Sequence, residues 1–284
     1  LIFGGLGYLR AERAAPGPRA TIDVCEPALS ERTRLPSPET LRVVTYNVDR
    51  DLDAERVARS IEGEQEISQA DVLMLQEVET SGVTSLPQTL ADRLGLSVLY
   101  APARYEGDRT HGVALLSRHR LLDPEFVELT RYDLGYRSRR RVALGATVEI
   151  GGHRLRLYNT HLDTRLTLSQ RVRQMEPLIA RSHGVPHAIV GGDVNTIRAV
   201  GAFLPLFPLP LPGLGQAGGL DDFMRRHGFE TPSASLGATG PLGMRLDAIF
   251  TRGLSVSAAG KGRGGFSDHV PVWVDISVSA PSDH

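Results

Sequence analysis

Six segments of this 284-residue chain end an apolar run in an oxygen-bearing or imidazole side chain. Val43-Val44-Thr45-Tyr46 delivers Asn47, Val72-Leu73-Met74-Leu75-Gln76 delivers Glu77, and Leu155-Arg156-Leu157-Tyr158 delivers Asn159 and His161. Ala188-Ile189-Val190-Gly191-Gly192 delivers Asp193 and Asn195, Arg245-Leu246 precedes Asp247, and Gly265-Phe266-Ser267 precedes Asp268 and His269. One Asn or Asp after a strand is ordinarily a turn or a helix cap, and one histidine is ordinarily a hydrogen-bonded structural group. Six such endings outweigh that reading. None offers Ser or Cys beside a base, whereas all offer partners for a metal or a phosphate. A donor set so rich in oxygen suits hard ions such as magnesium or manganese.

Side chains this far apart in sequence meet only if their elements end at one place, as the carboxyl ends of strands do in open α/β sheets. Apolar and β-branched runs predict strands at 42–47, 71–76, 97–101, 112–117, 141–150, 154–160, 187–191, 246–251 and 272–278. Gly151-Gly152 between two of them predicts a hairpin. Helical patterns fall at 53–64, 84–94, 168–182 and 220–227, and residues 203–219, rich in Pro, Gly and Leu, read as a loop beside a site. Short apolar runs alternate with helical patterns without a low-complexity break. That argues for one α/β domain over 41–284, preceded by a tail or tether at 1–40.

In this order the motifs resemble those of the endonuclease/exonuclease/phosphatase superfamily of metal-dependent phosphodiesterases and phosphatases, which includes pancreatic-type deoxyribonucleases and abasic-site endonucleases. Thr45-Tyr46-Asn47-Val48 looks like its first motif, Leu75-Gln76-Glu77-Val78 its metal-carboxylate motif, and Asn159-Thr160-His161-Leu162-Asp163 its central histidine motif. Gly192-Asp193-Val194-Asn195 is similar to its Gly-Asp-x-Asn motif, Arg245-Leu246-Asp247 to the motif before its last strands, and Ser267-Asp268-His269 to its closing motif. The resemblance implies a four-layer α/β sandwich, two mixed β-sheets packed face to face and flanked by helices. It implies that Glu77 ligates Mg2+ or Mn2+, one ion or two, with Asn47 beside it and Asp268 as a further ligand. By the same resemblance His269, paired with Asp247, acts on the water or the phosphoryl oxygens. Asp193 and Asn195 position the nucleophile, and His161 donates to a phosphate oxygen. The general base stays open between His269 and Asp193.

The residue types also make chemical sense by themselves. A phosphodiester repels hydroxide, so its hydrolysis needs charge offset on the non-bridging oxygens, an oriented water and a stabilised leaving alkoxide. Histidine titrates near working pH, and a neighbouring carboxylate fixes its tautomer. For the substrate, Arg139 and Arg141 in a basic cluster can clamp phosphates, with His111 and Asn159 as further contacts. The 32 Lys and Arg against 33 Asp and Glu supply no global field for a polyanion, so any nucleic-acid contact falls to a local patch. We therefore expect a phosphodiesterase or nuclease first. A lipid or small-molecule phosphoesterase of sphingomyelinase or inositol-phosphatase kind comes second, and a non-catalytic domain that binds phosphorylated ligands or a protein comes third. The apolar stretch 203–212 and the short apolar segment 1–9 are the expected places for any membrane contact. A monomer is expected, either cytoplasmic or exported and tethered. The single cysteine, Cys25, excludes an intrachain disulfide.

Overall fold

The computed structural model describes residues 23–25, 40–50, 53–81, 85–132, 140–196 and 215–278. In chain order the first elements are β1 (Asp23–Cys25), β2 (Thr40–Asn47), α1 (Ala54–Gly63), α2 (Gln65–Ser68), β3 (Val72–Thr80), α3 (Leu86–Leu94), β4 (Ser97–Glu106) and β5 (Arg109–Ser117). Then follow β6 (Leu122–Glu128), β7 (Val142–Ile150), β8 (His153–His161), α4 (Leu168–Arg181) and β9 (Ala188–Asp193). The last are α5 (Gln216–Arg226), β10 (Asp247–Arg252), β11 (Ser255–Lys261) and β12 (Val272–Ser277).

These strands make two mixed sheets, one of seven strands in the order β1-β4-β5-β3-β2-β12-β11 and one of five in the order β10-β9-β8-β7-β6. The order follows from how each strand buries its two faces. In β2, Leu41 and Val43 point into the core between the sheets, while Val44 and Tyr46 pack with Val57 and Ile61 of α1. In β9, Ile189 joins the inter-sheet core, while Ala188 and Val190 pack with Met175 and Leu178 of α4 and with Leu220 of α5. Strands covered on both faces read as unbroken apolar runs. The result is the expected sandwich of helices, sheet, sheet and helices. Among the described residues no helix is long and apolar enough to cross a membrane.

The Gly151-Gly152 turn joins β7 to β8 with both glycines at positive φ, 57° and 80°, the conformation a two-residue hairpin requires. Three expectations need correction. The loop expected through residue 219 gives way to α5 at Gln216, because Leu220, Phe223 and Met224 pack against the second sheet despite the Gly218-Gly219 pair. The tail is not a tether throughout, since Asp23–Cys25 pairs with β4 as an edge strand. Finally, β3 does not stop before Glu77 but runs on to Thr80. The stretches 1–9 and 203–212 lie outside the described residues.

Helix α4 carries a fully buried arginine. Arg171 donates through Nη1 to the carbonyls of Asp163 at 2.6 Å and Val194 at 3.0 Å, and through Nη2 to that of Leu166 at 3.2 Å. It thereby ties the chain leaving β8 to the chain leaving β9. Burial lowers its pKa to about 10, so it stays cationic at neutral pH. We expect Arg171→Met to cost about 3 kcal/mol of unfolding free energy, because buried carbonyls lose their donors. A urea-unfolding difference below about 1 kcal/mol would show that the tie holds nothing.

Candidate active site

The sandwich brings Asn47, Glu77, His161, Asp193, Asp247 and His269 to one end. Parallel pairing of β2 with β3 sets Asn47 beside Gln76, and parallel pairing of β8 with β9 sets His161 beside Asp193. Antiparallel β10 sets Asp247 on the other side of Asp193. Asn47 Nδ2 donates to Asp193 Oδ2 at 2.9 Å, and His161 Nε2 lies 3.4 Å from the same oxygen. His269 Nδ1 meets Asp247 Oδ2 at 2.8 Å, leaving its Nε2 at 3.8 Å from Asp193 Oδ2 and 3.8 Å from Asp268 Oδ1. His161 Nε2 is also 3.9 Å from Glu77 Oε1.

Local backbone geometry aims two of these groups. Between Gln76 and Val78 the register of β3 on β5 slips by one, and Glu77 takes φ 55°. This bulge turns a carboxylate out of the middle of a strand toward the site, a conformation that L residues hold only where packing imposes it. On β9, Gly192 has φ 151°, and a Cβ there would stand 1.9 Å from the Thr160 carbonyl oxygen. Only glycine lets β9 approach β8 this closely just before Asp193. Asn195, at φ 50°, donates its backbone N–H to Asp193 Oδ1 at 2.9 Å and its side-chain amide to the Leu162 carbonyl at 3.0 Å.

Electrostatics sort the buried acids. Burial, together with the nearby Asp247 charge, pushes the Asp193 carboxyl up to about 7, against the pull of His269, Asn47 and Arg141. Burial also raises Asp247, with its hydrogen bond to His269 working the other way. Burial by itself lowers His269, but Asp247 and the charges of Asp193 and Asp268 prevail and raise it to about 9. Asp193, Asp247 and His269 offer ligand atoms within 4.8 Å of one another. Asp247 occupies Nδ1 of His269, so within this trio the imidazole turns its Nε2 toward the Asp193 carboxylate.

The other predicted residues divide. Asp268 is at the rim and 57% exposed in its side chain. His111 and Arg141 line a cleft whose lining also includes Arg50, Glu77, Arg104, Arg140 and His161. Asn159, expected at the substrate, is fully buried between the sheets. It donates to the Leu75 and Ala114 carbonyls at 2.8 Å each and accepts from Gln76 Nε2 at 2.7 Å, so its amide is spent on joining the sheets. Arg139 lies outside the described residues. Sequence reasoning missed Asp49 and Arg50. Arg50 donates to Glu77 Oε2 at 2.7 Å. Asp49 is raised by burial and then by the charges of Asp268 and Glu77. Only the spacing Asn47-Val48-Asp49 hinted at it.

The sequence model of the Endonuclease/Exonuclease/phosphatase family matches residues 44–284, and the chain belongs to that family. Its members are phosphoester hydrolases and are generally dependent on a divalent metal. No curated protein matches the chain. Among solved structures, an endonuclease/exonuclease/phosphatase from Beutenbergia cavernae superposes with TM-score 0.65 at 19% identity, covering 84% of this chain and 72% of that one. The human Nocturnin catalytic domain with bound sulfate anion gives 0.60 at 20% identity, covering 91% and 97%. D. rerio TDP2 complexed with single strand DNA product gives 0.60 at 18% identity, covering 84% and 99%. These likenesses support the fold.

Proposed function

We propose that this protein is a divalent-metal-dependent phosphodiesterase of nuclease type. The observation that carries the reading is the convergence of Asp193, His161 and the Asp247–His269 pair, within 3.8 Å from neighbour to neighbour, at a cleft floored by Glu77. The residues fit a hard cation. Glu77, Asp49 and Asp268 crowd three carboxylates at the rim, burial and then repulsion from Asp268 and Glu77 raise Asp49, and Arg50 is a cation hydrogen-bonded to Glu77. Glu77, with Asn47 and Asp268, would hold Mg2+ or Mn2+. When bound, the ion supplies charge for the non-bridging phosphate oxygens.

The chain's own groups divide the proton work. Asp193, near neutrality in pKa, accepts a proton from the attacking water as the water oxygen bonds to phosphorus and the ester P–O bond breaks, the leaving alkoxide taking up a proton from solvent as it departs. His269, kept protonated by Asp247, donates to a phosphoryl oxygen. His161 donates to another, and Asn195 holds the Asp193 turn. Metal-dependent release of nitrophenol from bis-p-nitrophenyl phosphate, lost in Asp193→Ala and His269→Ala, tests the reading. No release with either metal would leave a phospho-ligand binding domain as the better account. We further expect Glu77→Gln to weaken Mn2+ binding at least about tenfold by calorimetry with an unchanged circular dichroism spectrum. Equal affinities would strike Glu77 from the ligand set.

A further inference from the structure

We propose that a buried amide bridge between the two sheets, from Gln76 to Asn159 with the Thr45 hydroxyl beside it, is the positioning device of the site and holds the Glu77 carboxylate at its distance from His161 and Asp193. The inference rests on the metal-dependent hydrolase reading of that site and adds positioning residues to it. All three side chains are fully buried. Gln76 Nε2 donates to Asn159 Oδ1 at 2.7 Å, to the Met74 carbonyl at 2.8 Å and to Thr45 Oγ1 at 2.9 Å. Asn159 Nδ2 donates to the carbonyls of Leu75 and Ala114, so its oxygen must face Gln76, and the Gln76 amide must present its nitrogen. Turned that way, Gln76 Oε1 is buried without a hydrogen-bond partner among the described residues. A buried acceptor left unsatisfied costs stability, and a pair of apolar side chains of the same shape would fill the space without that cost. What the bridge does for the core does not account for it. Its place beside the site does.

Each member stands just behind a site residue: Thr45 two positions before Asn47, Gln76 one before Glu77, and Asn159 two before His161. Along β3, Met74 points into the inter-sheet core and Leu75 toward the helices. Gln76 takes the next inward place and Val78 the next outward one, so Glu77 is the extra residue that the bulge inserts between them. Under plain alternation Glu77 would point toward the helices, away from the site. An L residue at φ 55° keeps that conformation only where its neighbours impose it, and the neighbour on its amino side is the one tethered to the opposite sheet. Asn159 shares a face of β8 with His161, whose register partner on β9 is Asp193. One bridge thus joins the strand that carries Glu77 to the strand that carries His161, just behind the point where Glu77 Oε1 and His161 Nε2 stand 3.9 Å apart.

The shape-matched variants Gln76→Met and Asn159→Leu, singly and combined, test it by urea unfolding, by Mn2+ binding in calorimetry, and by kcat and KM for bis-p-nitrophenyl phosphate. We expect each single change to weaken Mn2+ binding at least about tenfold, the scale for removing a group that orients a ligand. Each should also lower kcat at least about tenfold with KM within about twofold of the parent. The double variant should regain part of the stability that the singles lose, because neither amide is left facing an apolar partner, while Mn2+ affinity and kcat stay low. Parent-like Mn2+ affinity in the double variant, or affinity and kcat that recover together with stability, would overturn the proposal and leave the bridge as packing alone. A parent that binds Mn2+ and hydrolyses nothing removes the hydrolase reading while affinity still judges the bridge. A parent that binds no Mn2+ overturns both.

Discussion

Replacing Asp193 by asparagine will abolish hydrolysis and, in metal-free buffer above neutral pH, raise the melting temperature. The two effects share one cause. Asp193 is buried beside Asp247, and its pKa stands near 7 instead of the ordinary 3.8. Because the folded pKa is the higher one, the stability associated with Asp193 is fully present below about 3.8 and is lost as pH rises through about 7. At pH 8 the parent carries the whole penalty, on the order of a few kcal/mol, and asparagine carries none. The variant's advantage should therefore grow between pH 4 and pH 7 and level off above. Thermal unfolding in chelator across that range checks it, and a pH-independent gap would mean that Asp193 is not a strained acid. Turnover should fall at least about a thousandfold, since an amide cannot accept the water's proton and the variant also loses a charge beside the reacting centre.

His269→Ala should lower turnover by roughly a hundredfold or more, the scale for losing a general acid or base. It should also cost stability, because Asp247 is left as a buried carboxylate without its imidazole partner, and breaking a buried pair from one side costs about 3 to 5 kcal/mol. The sign with pH is the same as for Asp193, a contribution lost as pH rises. His269 gains its partner on folding and its pKa rises from 6.5 to about 9, so its contribution is complete below 6.5 and is lost as pH rises through about 9. The gap between parent and variant should accordingly narrow in alkaline buffer. His269→Gln, which can still donate to Asp247, should recover much of the stability and little of the turnover. Full turnover in the glutamine variant would reassign His269 to structure.

The order and residue types of the motifs were legible in the chain because each sits where a run of apolar residues stops. Those runs are conspicuous for a physical reason: central strands such as β2, β3, β8 and β9 are covered on both faces. The strands that sequence reasoning overlooked, β1, β6 and β11, all lie at sheet edges. Leu122–Glu128 and Ser255–Lys261 are largely exposed or half-exposed, so neither leaves an apolar signature. The start of α5 was hidden by its two glycines, whose helical state comes from packing against the second sheet.

Chain order alone therefore determined that oxygen and imidazole groups end several buried strands, and with that the family and its class of chemistry. Only the tertiary structure decided which of them share a partner. It turned Glu77 outward through a bulge, withdrew Asn159 to bind sheet to sheet, and set Arg50 against Glu77. It placed Arg171 under both loops and buried Arg141 at 3.8 Å from Asp163. Such outcomes depend on contacts between segments as many as 84 residues apart, and no local pattern encodes a distance that two sheets fix only by closing on one core.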